Sequence, residues 1–147
     1  MIANIYIVSS IQKLHRCNGI VGVVIEAQTS KGPATLTKFG IVEDATKNQS
    51  VLLGIKYALS RISSKADVVI HIDDRYAANG WESGWIKGWI ANNWRTSKGE
   101  EVANAKQWQE ILVILGNRQP QFVVGEDHTY KSWLETEVKK RAKAHNF

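Results

Sequence analysis

Between Gly84 and Trp108 the chain concentrates four of its six tryptophans, Trp85, Trp89, Trp94 and Trp108, and interleaves them with Lys87, Arg95, Lys98 and Lys106. Trp85 and Trp89 are four residues apart and share one face of a helix. An aromatic–basic loop follows, from Asn93 to Gly99. Flat rings beside cations suit a nucleic-acid backbone, where Lys and Arg meet phosphate and the rings pack on sugar or base. The competing reading is that these tryptophans fill a core, because large aromatics carry much of any small one. A second chemical cluster is His71-Ile72-Asp73-Asp74-Arg75-Tyr76, an apolar run that ends in two carboxylates. A third is Glu126-Asp127-His128, with Glu135 and Glu137 beyond it. Cys17 has no neighbouring pattern of a nucleophilic site, and no phosphate-binding glycine motif is present.

The order of residues is more specific than their types. The segment resembles the substrate-binding protrusion of type I ribonucleases H, Trp-x-x-x-Trp-x-x-x-Gly-Trp-Lys-Thr-x-x-Gly-x-x-Val-x-Asn-x-x-x-Trp. Trp85, Trp89, Trp94, Thr96, Gly99, Val102, Asn104 and Trp108 fall on it without a gap; Arg95 stands for the usual Lys and Asn93 for the usual Gly. The resemblance extends over nearly the whole chain. It implies a ribonuclease H-like α/β fold with a five-stranded mixed sheet flanked by helices, and cleavage of the RNA strand of an RNA/DNA hybrid. That chemistry uses Mg²⁺ or Mn²⁺: two ions about 4 Å apart hold the attacking and leaving oxygens, so several carboxylates must meet at one point.

At those carboxylate positions the chain departs from the family. In Ile7-Val8-Ser9-Ser10, Val8 takes the place of the acidic residue that ends the first strand. In Thr46-Lys47-Asn48-Gln49-Ser50-Val51-Leu52, Val51 takes the place of the glutamate of Thr-x-Asn-x-x-Glu-Leu. Asp73 retains the fourth-strand aspartate and is the candidate metal ligand. The last-helix carboxylate falls to Glu135, with Glu137 behind it, and His128 matches the histidine before that helix. Val8, Val51 and Asp73 are expected to converge, with Asp73 held by Ser9, Ser10 or a backbone amide. Asp74 is expected on the opposite side from Asp73 if the strand continues through it. Glu43, Asp44, Glu126 and Asp127 are the other acids from which a site would be rebuilt.

The hybrid-binding positions survive better. The resemblance assigns Trp85 and Trp89 to the channel for the DNA strand, and Thr46 and Asn104 to one of its phosphates. It places Asn48 in the minor groove, with Arg75 near enough to serve there too, and it puts an aromatic at Tyr76. Asp44 stands where some relatives carry an Arg. Each has a plainer reading: Thr46 or Asn104 as helix caps, and Lys87, Arg95 and Lys98 as solvated charges.

The elements that must position these residues can be read from periodicity. Strands are expected at Asn4–Val8, Ile20–Glu26, Ala34–Val42, Asp67–Ile72 and Gln121–Val124. A helical stripe runs Val51, Leu52, Ile55, Leu59 and Ile62, with Thr46 or Asn48 as its cap. Helical signals continue from Arg75 to about Asn92, broken at Gly80 and Gly84, then over Ala105–Leu115 and Ser132–Lys143. Crossovers through helices make the last two strands parallel. A chain of 147 residues suits one domain, residues 1–147. Net charge of +5 favours an anionic partner. No run reaches membrane-spanning length. The start lacks a secretory signal pattern, and the single Cys17 fits a reducing cytoplasm. Three functions are therefore open: a nucleic-acid-binding protein for hybrid or duplex with little cleavage, an active hybrid endonuclease with a rebuilt metal site, and a protein-interaction module that keeps only the fold. A different basic α/β domain is the competing architecture.

Overall fold

A computed structural model describes residues 1–147. Alternating apolar residues at the start of the chain form β1 (Ile2–Ser9), which pairs antiparallel with β2 (Cys17–Thr29), itself antiparallel to β3 (Gly32–Ala45). Helix α1 (Lys47–Ser60) leads to β4 (Asp67–Ile72), parallel to β1. Helices α2 (Tyr76–Glu82), α3 (Trp85–Ala91) and α4 (Ala105–Leu115) follow, then β5 (Gln121–Val124), parallel to β4, and α5 (Lys131–Ala144). The sheet order is β3-β2-β1-β4-β5. β3 is its outer strand, 14 residues long, with only β2 beside it.

All five strands and the expected helices are present; the Arg75–Asn92 signal divides into α2 and α3 at Gly84, whereas Gly80 lies within α2 and does not break it. The main difference is length. β2 and β3 extend beyond Ile20–Glu26 and Ala34–Val42 at both ends, because cross-strand pairing carries polar residues such as Gln28 and Thr29 that no apolar periodicity marks.

The two faces of the sheet have separate cores. On one, Ile5, Ile7, Val21, Val23 and Ile25 pack with α1 and α4 residues including Val51, Leu52, Ile55 and Trp108. On the other, Val8, Ile20 and Val24 pack under α5 through Leu134, Val138 and Ala142. Two glycines let the helices sit close. A Cβ on Gly54 of α1 would lie 3.1 Å from the side chains of Ile7 and Val21. One on Gly22 would lie 2.9 Å from Val138 of α5. Thr46 closes the N-terminus of α1 with a capping box: its hydroxyl accepts from the Gln49 amide, and the Gln49 side chain accepts from the Thr46 amide. Such a cap contributes about 1 kcal/mol and fixes where the helix begins against the sheet.

Candidate nucleic-acid interface and residual acidic centre

The C-terminal ends of β1 and β4 and the first turn of α1 meet at one edge of the sheet. Ser9, the last residue of β1, is 2% exposed and faces α1. The Ser9 and Ser50 hydroxyls hydrogen-bond to each other at 2.7 Å, and Ser9 Oγ also accepts from the Ile11 amide at 3.0 Å. Val8 points the other way, into the α5 core, and Val51 lies in the α1 core. The expected apposition of Val8 and Val51 is thus corrected. Successive strand residues alternate faces, so one residue of register separates Val8 from the side that α1 covers. The pair that does meet across β1 and α1 is Ser9 with Ser50.

Asp73 has a partner that the sequence reading missed. Lys47 Nζ lies 3.2 Å from Asp73 Oδ2, 3.3 Å from Asp74 Oδ2 and 3.1 Å from Gln12 Oε1. Neither Ser9 nor Ser10 holds Asp73, contrary to expectation. β4 ends at Ile72, so the strand does not continue to set Asp74 opposite Asp73, and both carboxylates turn toward the same ammonium. A signal was available in the first helical position after the Thr46 cap, which sets a four-carbon side chain beside the end of β4.

Behind Asp73, a small cleft is lined by Val8, Asp73, Glu126, His128, Lys131 and Glu135. Three of the expected residues, Asp73, His128 and Glu135, therefore come together, with Val8 as their apolar wall; Glu137 is not among the lining residues. His128 is held by rings and backbone. Its centroid is 4.6 Å from that of Tyr6, and Nδ1 accepts from the Tyr130 amide at 3.2 Å. Tyr6 stacks in turn on His71 at 4.3 Å, whose Nε2 lies 2.9 Å from Asn4 Oδ1. Burial lowers the pKa of both histidines below the usual value, reinforced by Lys131 at His128 and by His128 at His71. The Tyr130 hydroxyl donates to Glu26, and that bond pushes its pKa up to about 12.

On the other side of Lys47 opens a groove of about 510 Å³ that collects Thr46, Asn48, Tyr76 and Asn104 from the expected set. It also contains Gln12, Lys13 and Arg16 from the loop between β1 and β2. Arg16 donates to the Asp44 carbonyl and to Gln49 Oε1, both at 2.9 Å, and so supplies a guanidinium beside Thr46 that Asp44 cannot. The loop's cations escaped the sequence reading because nothing in their spacing connects them to Thr46. Asn104 has a left-handed φ of 61° and no capping hydrogen bond; its amide donates to the Tyr76 hydroxyl at 2.9 Å. Arg75 is exposed but paired with Glu82 at 3.0 Å.

The tryptophans form a graded chain. Trp85 is 45% exposed and Trp108 only 1%, and the centroids of Trp85–Trp89, Trp89–Trp94 and Trp89–Trp108 are 6.2, 5.9 and 6.1 Å apart. The core reading holds for Trp108, whereas Trp85 at the other end is open to solvent. Lys87, Arg95 and Lys98 are exposed around it. Asn93 and Trp94 have φ of 54° and 60°, the region that favours glycine and matches the family's Gly at the Asn93 position.

A basic groove and an exposed aromatic ladder beside an acidic strand end, on a β3-β2-β1-β4-β5 sheet, define the class of ribonuclease H-like α/β proteins. Among solved structures the fold is similar to LC9-RNase H1, described as a type 1 RNase H with the type 2 active-site motif (TM-score 0.76, 19% identity, 97% of this chain and 72% of that one). It is also similar to the foamy viral protease-reverse transcriptase in complex with dsDNA (TM-score 0.70, 14% identity, 95% and 91% of the chains). The RNase H family model matches residues 6–130, and the chain belongs to that family. Curated relatives include the ribonuclease H of Caldicellulosiruptor saccharolyticus, 33% identical over 76 residues, 52% of each chain. That of Acidiphilium cryptum is 33% identical over 92 residues, 55% of each. The chain thus spans about half the length of the curated relatives it matches.

The Mg²⁺ or Mn²⁺ implied by the family can be tested against the side chains present. Two hard ions need several carboxylate oxygens around one point. Here Val8 and Val51 are hydrocarbon, Ser9 and Ser50 bond to each other, and Asp73 is paired with Lys47. No three His, Cys, Asp or Glu side chains are arranged to hold a metal ion. This donor set does not fit a two-ion centre. No helix is long and apolar enough to cross a membrane.

Proposed function

We propose that this protein binds nucleic acid, an RNA/DNA hybrid or duplex, through an RNase H-family surface whose hydrolytic centre is impaired. One observation carries the reading: Thr46, Asn48, Tyr76 and Asn104 line one groove, while Val8 and Val51, at two expected carboxylate positions, lie in apolar cores. Thr46, Asn48 and Asn104, with Lys13, Arg16 and Lys47, offer hydrogen bonds and positive charge to a phosphate track. Trp85 and Trp89 offer ring faces, flanked by Lys87, Arg95 and Lys98. Asp73 with Glu135 leaves too few oxygens for in-line displacement assisted by two ions. A cytoplasmic setting belongs to the same reading, supported by the single cysteine.

The test pairs hybrid cleavage in Mg²⁺ and in Mn²⁺, at high protein concentration, with a binding titration on the same substrate. The expected outcome is saturable binding without cleavage, or with cleavage slower by several orders of magnitude than an RNase H with all its carboxylates. Affinity should fall steeply with salt, with a log–log slope of about −0.9 per phosphate contact on duplex DNA. A second reading, an active nuclease with a rebuilt site, has its own support in the cleft where Asp73, Glu126, His128 and Glu135 gather. Robust cleavage abolished by Asp73→Asn would decide for it. Absence of binding at low salt would leave the fold serving as a protein-interaction module.

A further inference from the structure

An ammonium group has three donors and no acceptor. Lys47 directs its ammonium at three oxygens, on Gln12, Asp73 and Asp74, at 3.1–3.3 Å. The oxygens come from two parts of the fold, the loop after β1 and the end of β4, and the ammonium from the first turn of α1. The Lys47 side chain is 20% exposed, and those of Asp73 and Asp74 are 28% and 33% exposed, so the cluster is partly withdrawn from water. The geometry is that of a cation held in an oxygen cage, with the cation tethered to the chain.

We propose that the Lys47 ammonium is the resident cation of this site and the group that excludes a divalent ion from Asp73. The inference rests on the reading of an impaired centre and supplies its physical agent. A divalent ion approaching Asp73 would meet a positive charge already bonded to both neighbouring carboxylates. It would have to displace an ammonium that never diffuses away. Because the ammonium keeps a divalent ion from Asp73, nucleic-acid binding is expected to be independent of divalent ions.

The test is a calorimetric titration of Mn²⁺ into the full chain without nucleic acid, for the native protein, Lys47→Met, Lys47→Arg and Lys47→Met with Asp73→Asn. The native protein and Lys47→Arg are expected to show no saturable uptake below about millimolar. Lys47→Met should take up one ion at least tenfold more tightly, and adding Asp73→Asn should abolish the gain. Uptake by the native protein as tight as by Lys47→Met would overturn the proposal. So would a folded Lys47→Met, shown by far-UV circular dichroism, that is as silent as the native chain. Should Lys47→Met fail to fold, the native titration still decides: saturable Mn²⁺ binding that Asp73→Asn removes refutes exclusion, and its absence, with the same absence in Lys47→Arg, supports it. Hybrid binding measured separately in EDTA keeps the two readings apart. Its absence both in EDTA and with Mn²⁺ would end the nucleic-acid reading without altering the Mn²⁺ result, whereas binding that appears only with Mn²⁺ would overturn the proposal alone.

Discussion

Val8 and Val51 look equivalent on paper, each a hydrocarbon at a position where the resemblance leads one to expect an acid, yet their surroundings differ. Both are 4% exposed, but Val51 is enclosed in the larger core, whereas Val8 lines the cleft that holds Asp73 and Glu135. A carboxylate at Val51 would be buried without a partner; one at Val8 could reach the cleft's water and Lys131. We therefore expect Val51→Glu to destabilise the fold by several kcal/mol and Val8→Asp by clearly less. Urea denaturation of both variants checks the order, and equal losses would show that the two sites share one environment. The residue types were legible in the sequence, including valines at two expected carboxylate positions. Which face each residue occupies was not. Facing depends on a register of one residue in β1 and on the helical phase of α1, and the alternation of β1 gives way at Ile7-Val8 to apolar residues on both sides of the strand. Lys47 was hidden for a related reason: a lysine at a helix start has no pattern of its own, and its partner lies 26 residues away.

At the scale of elements, α3, the loop to Val102 and α4 act as one unit joined by tryptophans. Ring contacts run from the exposed Trp85 through Trp89 to the buried Trp108, which donates to the Tyr76 hydroxyl at 3.3 Å. The unit should separate binding from stability along its length. Trp85→Ala is expected to weaken nucleic-acid affinity by about 1–3 kcal/mol with little change in unfolding midpoint. Trp108→Ala should cost about 3–5 kcal/mol of stability, because it removes a large side chain from a packed core. Paired fluorescence titrations and thermal melts would show this. If Trp85→Ala left affinity unchanged, the ladder would be only a packing device. This unit was the most legible part of the chain, because its left-handed residues, turns and aromatic spacings are all local. The groove opposite it draws Lys13 and Arg16 from a loop remote in sequence, which only the folded sheet brings near.

For the whole molecule, the α5 side of the sheet ties pH to global stability. His71 and His128 sit in a ring cluster with Tyr6 and Tyr130, between the sheet and the segment that leads into α5. Both have pKa values below the usual 6.5, so the unfolded chain binds more protons than the folded one through that range. Stability should therefore rise with pH across the window from the depressed values up to about 6.5, and fall when the pH drops through it. The slope cannot exceed one proton per histidine. Urea midpoints between pH 5 and 7 would show it, and His71→Asn with His128→Asn should flatten the curve; an unchanged slope would place the titration elsewhere.

The 14-residue outer strand β3 presents a row of backbone amides and carbonyls with no neighbour on one side, next to exposed Leu36 and Ile41. Such an edge is a template for sheet growth between molecules. The strand carries two obstacles: Pro33, which has no amide to offer, and Lys38, paired in register with Val23 and so directed to the α1 side, where an incoming apolar strand would bury its charge. Solubility of this sheet at high concentration therefore depends on a lysine far from the groove. Lys38→Val should produce concentration-dependent association in sedimentation velocity with the monomer fold intact, and a variant that stays monodisperse would show that β3 needs no such guard.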